Sequence, residues 1–278
     1  MRLLAFGGDE RMDGALCAAR RAGWDTLHVR GEEDVRRDGL QADAVMLPWP
    51  HSFREERLVG GALDQERTLA LIPPCRVLLR GGGVEEAALP QAGTLIDPAR
   101  DEAFLQVNAQ LTAEGAIARA MQRHGRALLG STCMVTGFGR IGQALTVRLA
   151  AMGAFVIVCA RSEAQMHRAH ELGAHPVPML RIAAACAQAE VIFNTVPARI
   201  LGEAALRAVG PDTLVIELAS PPYGADLETA ARLGVTIAVE GALPGRYAPL
   251  SAGAALFDAL QRAMTDCARE REGGEAHG

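Results

Sequence analysis

The chain has 278 residues, of which 49% are hydrophobic and 22% charged, so it is long enough for two α/β domains of ordinary size. A net charge of −5 with dispersed arginines excludes a nucleic-acid-binding face, and no apolar run reaches the length of a membrane span. The six cysteines are scattered singly, without metal-ligand spacing. We therefore expect a cytoplasmic protein with no metal site.

The first hundred residues alternate short apolar runs with helical stretches. This alternation is typical of a parallel sheet covered by helices on both faces, so we predict a flavodoxin-like domain over residues 1–100. The predicted strands are 3–6, 26–29, 44–47, 77–79 and 94–96, and the clearest helix is 11–21.

A long helical pattern follows at 101–126, and we interpret it as a helix that connects two domains. The second domain is predicted over 127–250. A final helix at 251–270 is predicted to pack back on the first domain. The further strands are 154–159, 191–193, 214–216 and 236–239, separated by helices at 162–172, 180–189, 203–209 and 226–233.

A dinucleotide-binding fingerprint lies between the strand that ends at residue 136 and the helix that follows it. Residues 133–142 read C-M-V-T-G-F-G-R-I-G, which supplies a glycine for the turn, one for contact with pyrophosphate and one for helix packing. The fold class is therefore two doubly wound parallel-sheet domains, the second a Rossmann domain. The residues predicted to contact the cofactor in this turn are Gly137, Phe138, Gly139, Arg140, Ile141 and Gly142.

The residues that follow the next predicted strand, 154–159, favour NADP over NAD. An NAD-binding unit places a carboxylate near the end of this strand, whereas this chain has Arg161 and Ser162 there. A guanidinium fork and a hydroxyl suit the 2′-phosphate of NADP. Loops after the later strands complete the predicted cofactor site, with Asn194, Thr195, Val196, Pro197, Ala219 and Ser220.

Acid–base candidates are few. The chain contains no lysine, because all 28 basic residues are arginine, and this excludes lysine Schiff bases and lysine general acids. His51 is the one histidine that we consider for acid–base work, because it follows a predicted strand in a loop beside Ser52; the alternative is a surface residue without a catalytic role. Glu114 lies on the long helix and is the second candidate base.

Several stretches resemble a known family, the A subunit of dipicolinate synthase from spore-forming bacteria. The chain reads N-A-Q-L-T-A-E-G-A-I at 108–117 and L-P-G-R-Y-A-P-L-S-A-G at 243–253, and the segments 193–198 and 217–221 resemble the family too. The resemblance spans most of the chain after residue 97. It departs from the expected pattern at Pro222, Tyr223 and Gly224, where a glycine pair would follow the serine and proline.

This resemblance implies an NADP-linked oxidation of a dihydrodipicolinate-type product of the lysine pathway to pyridine-2,6-dicarboxylate. It also implies that a flavoprotein-like B subunit is the partner and that the mother cell of a sporulating bacterium is the setting; we expect a homo-oligomer. Two substrate carboxylates require cationic or amide donors, and hydroxyls would orient the ring. The candidate substrate-binding residues are Arg80, Gly81, Gly82, Thr112, Arg199, Arg246 and Ser251, and Ser220 joins His51 and Glu114 as a catalytic candidate.

Two alternatives stay open. Another two-domain dehydrogenase, acting on a 2-hydroxy or amino acid, shares this architecture but depends on a histidine or lysine beside the nicotinamide. The chain has no lysine and no histidine between His175 and His277. A regulatory or scaffolding subunit that binds NADP without chemistry of its own is the other alternative, since a fold alone does not exclude it.

Overall fold

The computed structural model describes residues 1–35, 40–90 and 92–275. The chain divides into two compact units, one comprising Met1–Asn108 with Ala248–Gly278 and the other Ala109–Tyr247. The strands are β1 Arg2–Phe6, β2 Asp25–Val29, β3 Ala44–Met46, β4 Phe53–Arg54, β5 Arg57–Leu58, β6 Cys75–Leu79, β7 Ala92–Ile96, β8 Thr132–Thr136, β9 Phe155–Ala160, β10 His175–Pro178, β11 Val191–Asn194, β12 Leu214–Glu217 and β13 Thr236–Val239. The α-helices are α1 Glu10–Arg21, α2 Gln65–Leu71, α3 Glu102–His124, α4 Arg140–Ala151, α5 Glu163–Glu171, α6 Ile182–Cys186, α7 Glu203–Ala208, α8 Leu227–Leu233, α9 Leu243–Tyr247 and α10 Pro249–Glu275.

The first unit contains a five-stranded parallel sheet in the order β2-β1-β3-β6-β7, which is the flavodoxin-like order. Successive residues of a strand face opposite sides, so Leu3 and Ala5 pack in one apolar layer, whereas Leu4 and Phe6 pack in the other. Burial on both faces explains why the strands are continuous apolar runs rather than alternating ones.

The C-terminal helix α10 packs in the first unit against α1. Phe257 and Leu260 lie in the same apolar layer as Leu3. The two helices approach closely because each contributes a glycine: a Cβ at Gly14 would lie 2.8 Å from Leu250 Cα, and one at Gly253 would overlap backbone of α1. The prediction that the final helix packs back on the first domain is confirmed.

The second unit contains a six-stranded parallel sheet in the order β10-β9-β8-β11-β12-β13. This is the strand order of a Rossmann domain. Successive strands are added on one side of β8 as far as β10 and then on its other side from β11, so the switch point lies between β8 and β11. Cys133 and Val135 of β8 face the layer formed by α3, α4 and α5, whereas Met134 faces the layer of α6, α7 and α8. The predicted fold class is confirmed.

Sequence patterns miss the short or proline-containing elements. Strand β10 reads H-P-V-P, and proline lowers any expectation of a strand, yet it is tolerated here because β10 lies at the sheet edge. The hairpin of β4 and β5 has strands of two residues, and α2 and α9 were also not expected. The predicted helix 180–189 is a 3-10 turn at Met179–Arg181 followed by the short α6. Within the described ranges, no helix is both long and apolar enough to cross a membrane.

Candidate functional site

The glycine turn between β8 and α4 has the geometry that a dinucleotide requires. Gly137 has a φ of +81°, and a Cβ there would lie 2.7 Å from Cγ2 of Val196. A Cβ at Gly142 would overlap the carbonyl oxygen of Gly137, so this glycine lets the helix approach the turn. By contrast, Gly139 is exposed and has open space where a Cβ would stand. That space is where a pyrophosphate would approach.

The start of α4 has the geometry of an anion-binding helix terminus. Gly139 is the N-cap residue and supplies no side-chain acceptor. The amides of a first helical turn lack intrahelical acceptors, and together with the helix dipole they attract negative charge. The flanking side chains serve the fold, since Phe138 is buried and Ile141 packs against the same apolar layer, while Arg140 begins the helix. These residues fit a nicotinamide dinucleotide.

The end of β9 carries an exposed arginine. Arg161 follows Ala160, and among the described residues it makes no hydrogen bond or ion pair. Ser162 caps α5 and accepts a hydrogen bond from the Gln165 amide at 3.3 Å, which leaves its hydroxyl proton free to donate. The nearest carboxylate in sequence, Glu163, is exposed in the first turn of α5. The guanidinium is thus available to a ligand.

A buried polar network joins three strand ends at the carboxyl edge of the sheet. The Asn194 amide donates to both carboxylate oxygens of Glu217, at 2.7 and 2.8 Å, and accepts from the Thr136 hydroxyl. The backbone amides of Ala219 and Ala225 each donate to Glu217 at 2.9 Å. All three side chains of the network are fully buried. Glu217 therefore holds the loops after β11 and β12 in place.

The pKa of Glu217 is raised above its ordinary value. Burial is the main cause, because a buried carboxylate loses its hydration. Donors from Asn194 and from backbone amides act in the opposite direction but do not cancel it. All of these donors are neutral, and neutral donors compensate a buried charge only in part.

The two most distinctive stretches of the sequence meet in the second unit. Gly115 belongs to T-A-E-G-A-I on α3, and a Cβ there would lie 3.0 Å from Cβ of Leu243 and 3.2 Å from Cδ2 of Tyr247. Both contacted residues belong to L-P-G-R-Y, which forms α9. Glycine at 115 therefore lets α9 pack closely on α3, so the two stretches form one packed unit.

Directly after β13, one buried carboxylate gathers three arginines. Glu240 is 3% exposed and bonds to Arg119 of α3 and to Nη1 of Arg246 of α9, the latter at 2.9 Å. Nε of Arg123 lies 3.9 Å from the same carboxylate. Burial would raise the pKa of Glu240, but the bonds from Arg119 and Arg246 outweigh burial and hold this pKa below its ordinary value.

The predicted site residues of the second unit differ in their availability. Thr112 is buried, and Glu114 is exposed and paired with Arg148 at 2.9 Å. Arg199 is exposed and lies 3.4 Å from Asp226. Asn194, Thr195, Val196 and Ala219 lie together around the network at the sheet edge, with Pro197 and Ser220 exposed beside them.

The remaining predicted residues belong to the first unit. Arg80 is partly buried and 3.6 Å from Glu86, while His51 and Ser251 are exposed. The amide of Gly81 donates to Oγ of Ser52 at 2.8 Å, and the amide of Gly82 donates to the Pro50 carbonyl at 2.8 Å. The expectation that these two amides bind a substrate is therefore corrected, because both are already used to join two loops.

Sequence reasoning overlooked the residues that organise this site. Glu217 is the last residue of β12 and Glu240 directly follows β13, and a carboxylate at the end of an apolar run is a signal of a buried polar role. Arg119 and Arg123 are spaced four apart on α3, so they share one helix face. Across residues 1–35, 40–90 and 92–275, no group of three or more histidine, cysteine, aspartate or glutamate residues has the arrangement of a metal site.

Comparison with protein families places residues 99–220 in a match to the D-isomer specific 2-hydroxyacid dehydrogenase, NAD binding domain. The A subunit of dipicolinate synthase from Bacillus subtilis (strain 168) is 34% identical over 159 residues, which is 57% of this chain and 54% of that protein. The aligned part thus spans about half the length of this curated relative.

Solved structures resemble nearly the whole chain. The crystal structure of the dipicolinate synthase A subunit from Bacillus halodurans is 26% identical, with a TM-score of 0.80, covering 94% of this chain and 96% of that one. The corresponding polypeptide of dipicolinate synthase from Bacillus subtilis is also 26% identical, with a TM-score of 0.82 and 97% coverage of each chain. A transhydrogenase from Sinorhizobium meliloti, 18% identical with a TM-score of 0.63 over 96% of this chain and 94% of that one, shares the fold.

The fold, the glycine turn and the matched domain together show a dehydrogenase-type domain for a nicotinamide dinucleotide. Within that class, the predicted resemblance to the A subunit of dipicolinate synthase is confirmed by the curated relative and by both crystal structures.

Proposed function

We propose that the chain is an NADP-dependent oxidoreductase that converts a dihydrodipicolinate-type product of the lysine pathway to dipicolinate, in the mother-cell cytoplasm of a sporulating bacterium. The observation that carries the proposal is the packing of T-A-E-G-A-I on L-P-G-R-Y beside the end of β13. These two stretches carry the resemblance to the A subunit of dipicolinate synthase, and their packing sets Arg246 next to the nucleotide-binding sheet.

The proposed reaction balances without a further reactant. One ring carbon of the dihydropyridine loses a hydride to NADP⁺ and the neighbouring carbon loses a proton, which gives the aromatic pyridine, NADPH and one H⁺. Because the product is aromatic, the step is favourable and requires precise placement more than a strong base. When bound, the nicotinamide supplies the hydride acceptor. The residues of the chain have to hold the dicarboxylate and receive the proton.

Arg246 is proposed to bind a substrate carboxylate, because guanidinium groups pair with carboxylates in a bidentate geometry. Arg199 and Thr112 are further proposed contacts. Glu114 is proposed to receive the proton; it is exposed on α3 and held by Arg148. His51, which is exposed in the first unit, is the alternative acceptor. Glu114→Gln and His51→Asn, compared for turnover, decide between the two.

Arg161 is proposed to select NADP. Its guanidinium has no protein partner among the described residues and stands where an NAD-binding domain has a carboxylate. We expect wild-type protein to bind NADPH more tightly than NADH. Arg161→Gln should weaken NADPH binding by about tenfold or more, the usual cost of a charge-assisted bond, with little effect on NADH. Arg168→Gln, an equal charge change on α5, is the matched control.

The decisive experiment supplies the purified chain with NADP and freshly made dihydrodipicolinate and follows the absorbance of NADPH. Formation of NADPH together with dipicolinate supports the proposal. Tighter binding of NADH than of NADPH would contradict the cofactor assignment. The absence of NADPH formation, both alone and with the partner, would contradict the reaction.

A partner subunit is part of the proposal, because these relatives are each named as one subunit of a synthase. We propose that a flavoprotein-like B subunit is the partner and that the chain itself forms a homo-oligomer. Measurement of NADPH formation before and after addition of that subunit tests its contribution. Activity that needs the B subunit would favour a shared active site, or the alternative in which this chain only binds the nucleotide.

A further inference from the structure

We infer that Arg119, Arg123 and Arg246 form the binding site for one carboxylate of the substrate, and that Glu240 is the positioning residue that holds two of these arginines. The inference rests on the proposed function and extends it, because it adds Arg119 and Arg123 to the substrate site and gives the buried carboxylate a role. We refer to these four residues as the Glu240 cluster.

The Glu240 cluster has more positive charge than it needs for its own pairing. It contains three guanidinium groups and one carboxylate, which leaves an excess of two positive charges. Each guanidinium carries five N–H donors. Arg119 and Arg246 each direct one donor to Glu240, and Nε of Arg123 remains 3.9 Å away. Donors for an incoming carboxylate are therefore left over.

The exposure of the side chains shows which of these donors a solute reaches. Glu240 is 3% exposed, so the internal carboxylate lies at the base of the Glu240 cluster. Arg119 is 22% exposed, whereas Arg123 and Arg246 are 44% and 50% exposed. A carboxylate from solvent therefore meets Arg123 and Arg246 first. The charge of Glu240 beneath them is already compensated by its arginine partners.

The Glu240 cluster is connected to the nucleotide turn by direct contacts. The Glu240 amide donates to the Glu217 carbonyl at 2.8 Å, and the Glu217 side chain holds Asn194. The next residue, Thr195, has its Oγ1 3.0 Å from where a Cβ of Gly137 would stand. Each of these residues ends a parallel strand or lies in the loop after one, so they lie at the carboxyl edge, where ligands bind in this fold.

A pure salt-bridge role is the competing explanation. In that case the three arginines fasten α3 and α9 to the end of β13 and meet no ligand. Arg123 separates the two explanations, because it is nearly half exposed and only loosely paired. Arg126 is the matched control: it lies three residues further on, is 61% exposed and is likewise loosely paired, at 3.8 Å from Glu190.

Calorimetric titration of the full-length chain with dipicolinate, in the presence of NADPH, tests the inference. We expect Arg123→Gln and Arg119→Gln each to weaken dipicolinate binding by about tenfold, because each removes a charged donor. Arg126→Gln should bind like wild type, and NADPH affinity should be unchanged in all three variants.

Glu240→Gln tests the positioning role, because a positioning effect and a net-charge effect predict opposite changes in dipicolinate affinity. If only net charge mattered, removal of a negative charge would tighten dipicolinate binding. Because the carboxylate orients Arg119 and Arg246, we expect weaker binding, by about fivefold to tenfold, with NADPH affinity retained. Tighter binding would overturn the positioning role.

The outcomes separate this inference from the function on which it rests. If wild type binds dipicolinate and both Arg123→Gln and Arg119→Gln bind it equally well, the site is overturned while the proposed function stands. An equal loss of NADPH and dipicolinate affinity would show a purely structural role and also overturn it. A wild-type chain that does not bind dipicolinate contradicts the proposed function, and the inference falls with it.

Discussion

Replacement of Glu217 by glutamine should destabilise the second unit, although it removes a buried charge. The carboxylate accepts from the Asn194 amide and from the amides of Ala219 and Ala225. Glutamine keeps one acceptor oxygen and places an NH₂ group where the second oxygen was. At least one buried backbone donor would then face another donor.

A buried donor without an acceptor costs about 1–3 kcal/mol. The raised pKa of Glu217 shows that its charge is held at some cost, and the glutamine removes that cost. We expect the loss to exceed the gain, with a net decrease of about 2 kcal/mol in the free energy of unfolding at neutral pH. NADPH binding should also weaken, since the loop after β11 contacts the glycine turn.

Urea unfolding should be followed by far-ultraviolet circular dichroism, because both tryptophans, Trp24 and Trp49, belong to the first unit. Glu203→Gln is the control: the same substitution at an exposed residue paired with Arg207 should leave the midpoint nearly unchanged. Equal midpoints for the two variants would refute the role given to Glu217.

Two further predictions concern the glycine turn and the pH dependence of stability. Gly142→Ala should lower the free energy of unfolding by about 1–3 kcal/mol, because its Cβ would overlap the Gly137 carbonyl. Gly139→Ala should leave the free energy of unfolding unchanged and weaken NADPH binding by about tenfold. Equal free energies of unfolding for the two variants would contradict this. The pKa of Glu240 is lowered in the folded state, so its contribution to stability is complete above its ordinary pKa of 4.5 and is lost as the pH falls through the folded value. The urea midpoint of wild type should therefore fall more steeply below about pH 4.5 than that of Glu240→Gln, and parallel curves would contradict the assignment.

The fold was predictable because apolar periodicity and glycine punctuation are local signals. Every predicted strand is present within two residues at each end, since each is a buried apolar run between breakers. The elements that escaped prediction are those in which local preference and tertiary context disagree. The H-P-V-P strand forms because an edge position needs only one set of backbone bonds, and α9 forms although it contains a proline and a glycine.

The site was less predictable, because its main contacts join residues distant in sequence. Arg119 and Glu240 are 121 positions apart, and Asn194 and Thr136 are 58 apart. The glycine turn was the exception, since its three glycines lie within six residues and their roles follow from the backbone. Gly81 and Gly82 show the converse, because a glycine-rich loop is equally suited to contact its own protein.

Glu217 ends β12 and Glu240 directly follows the adjacent strand β13, and both are buried, yet their pKa values move in opposite directions. The difference lies in their donors: amides surround Glu217, and guanidinium groups surround Glu240. A carboxylate held by neutral donors keeps its negative charge at a cost and serves to fix loops. The Glu240 carboxylate is surrounded by three guanidinium groups, which leaves an excess of positive charge. Its surroundings therefore stay positive and attract anions. Adjacent strand ends thus carry the same residue type in two settings: one supports the loops at the sheet edge, and the other anchors the arginines that we propose bind a substrate carboxylate.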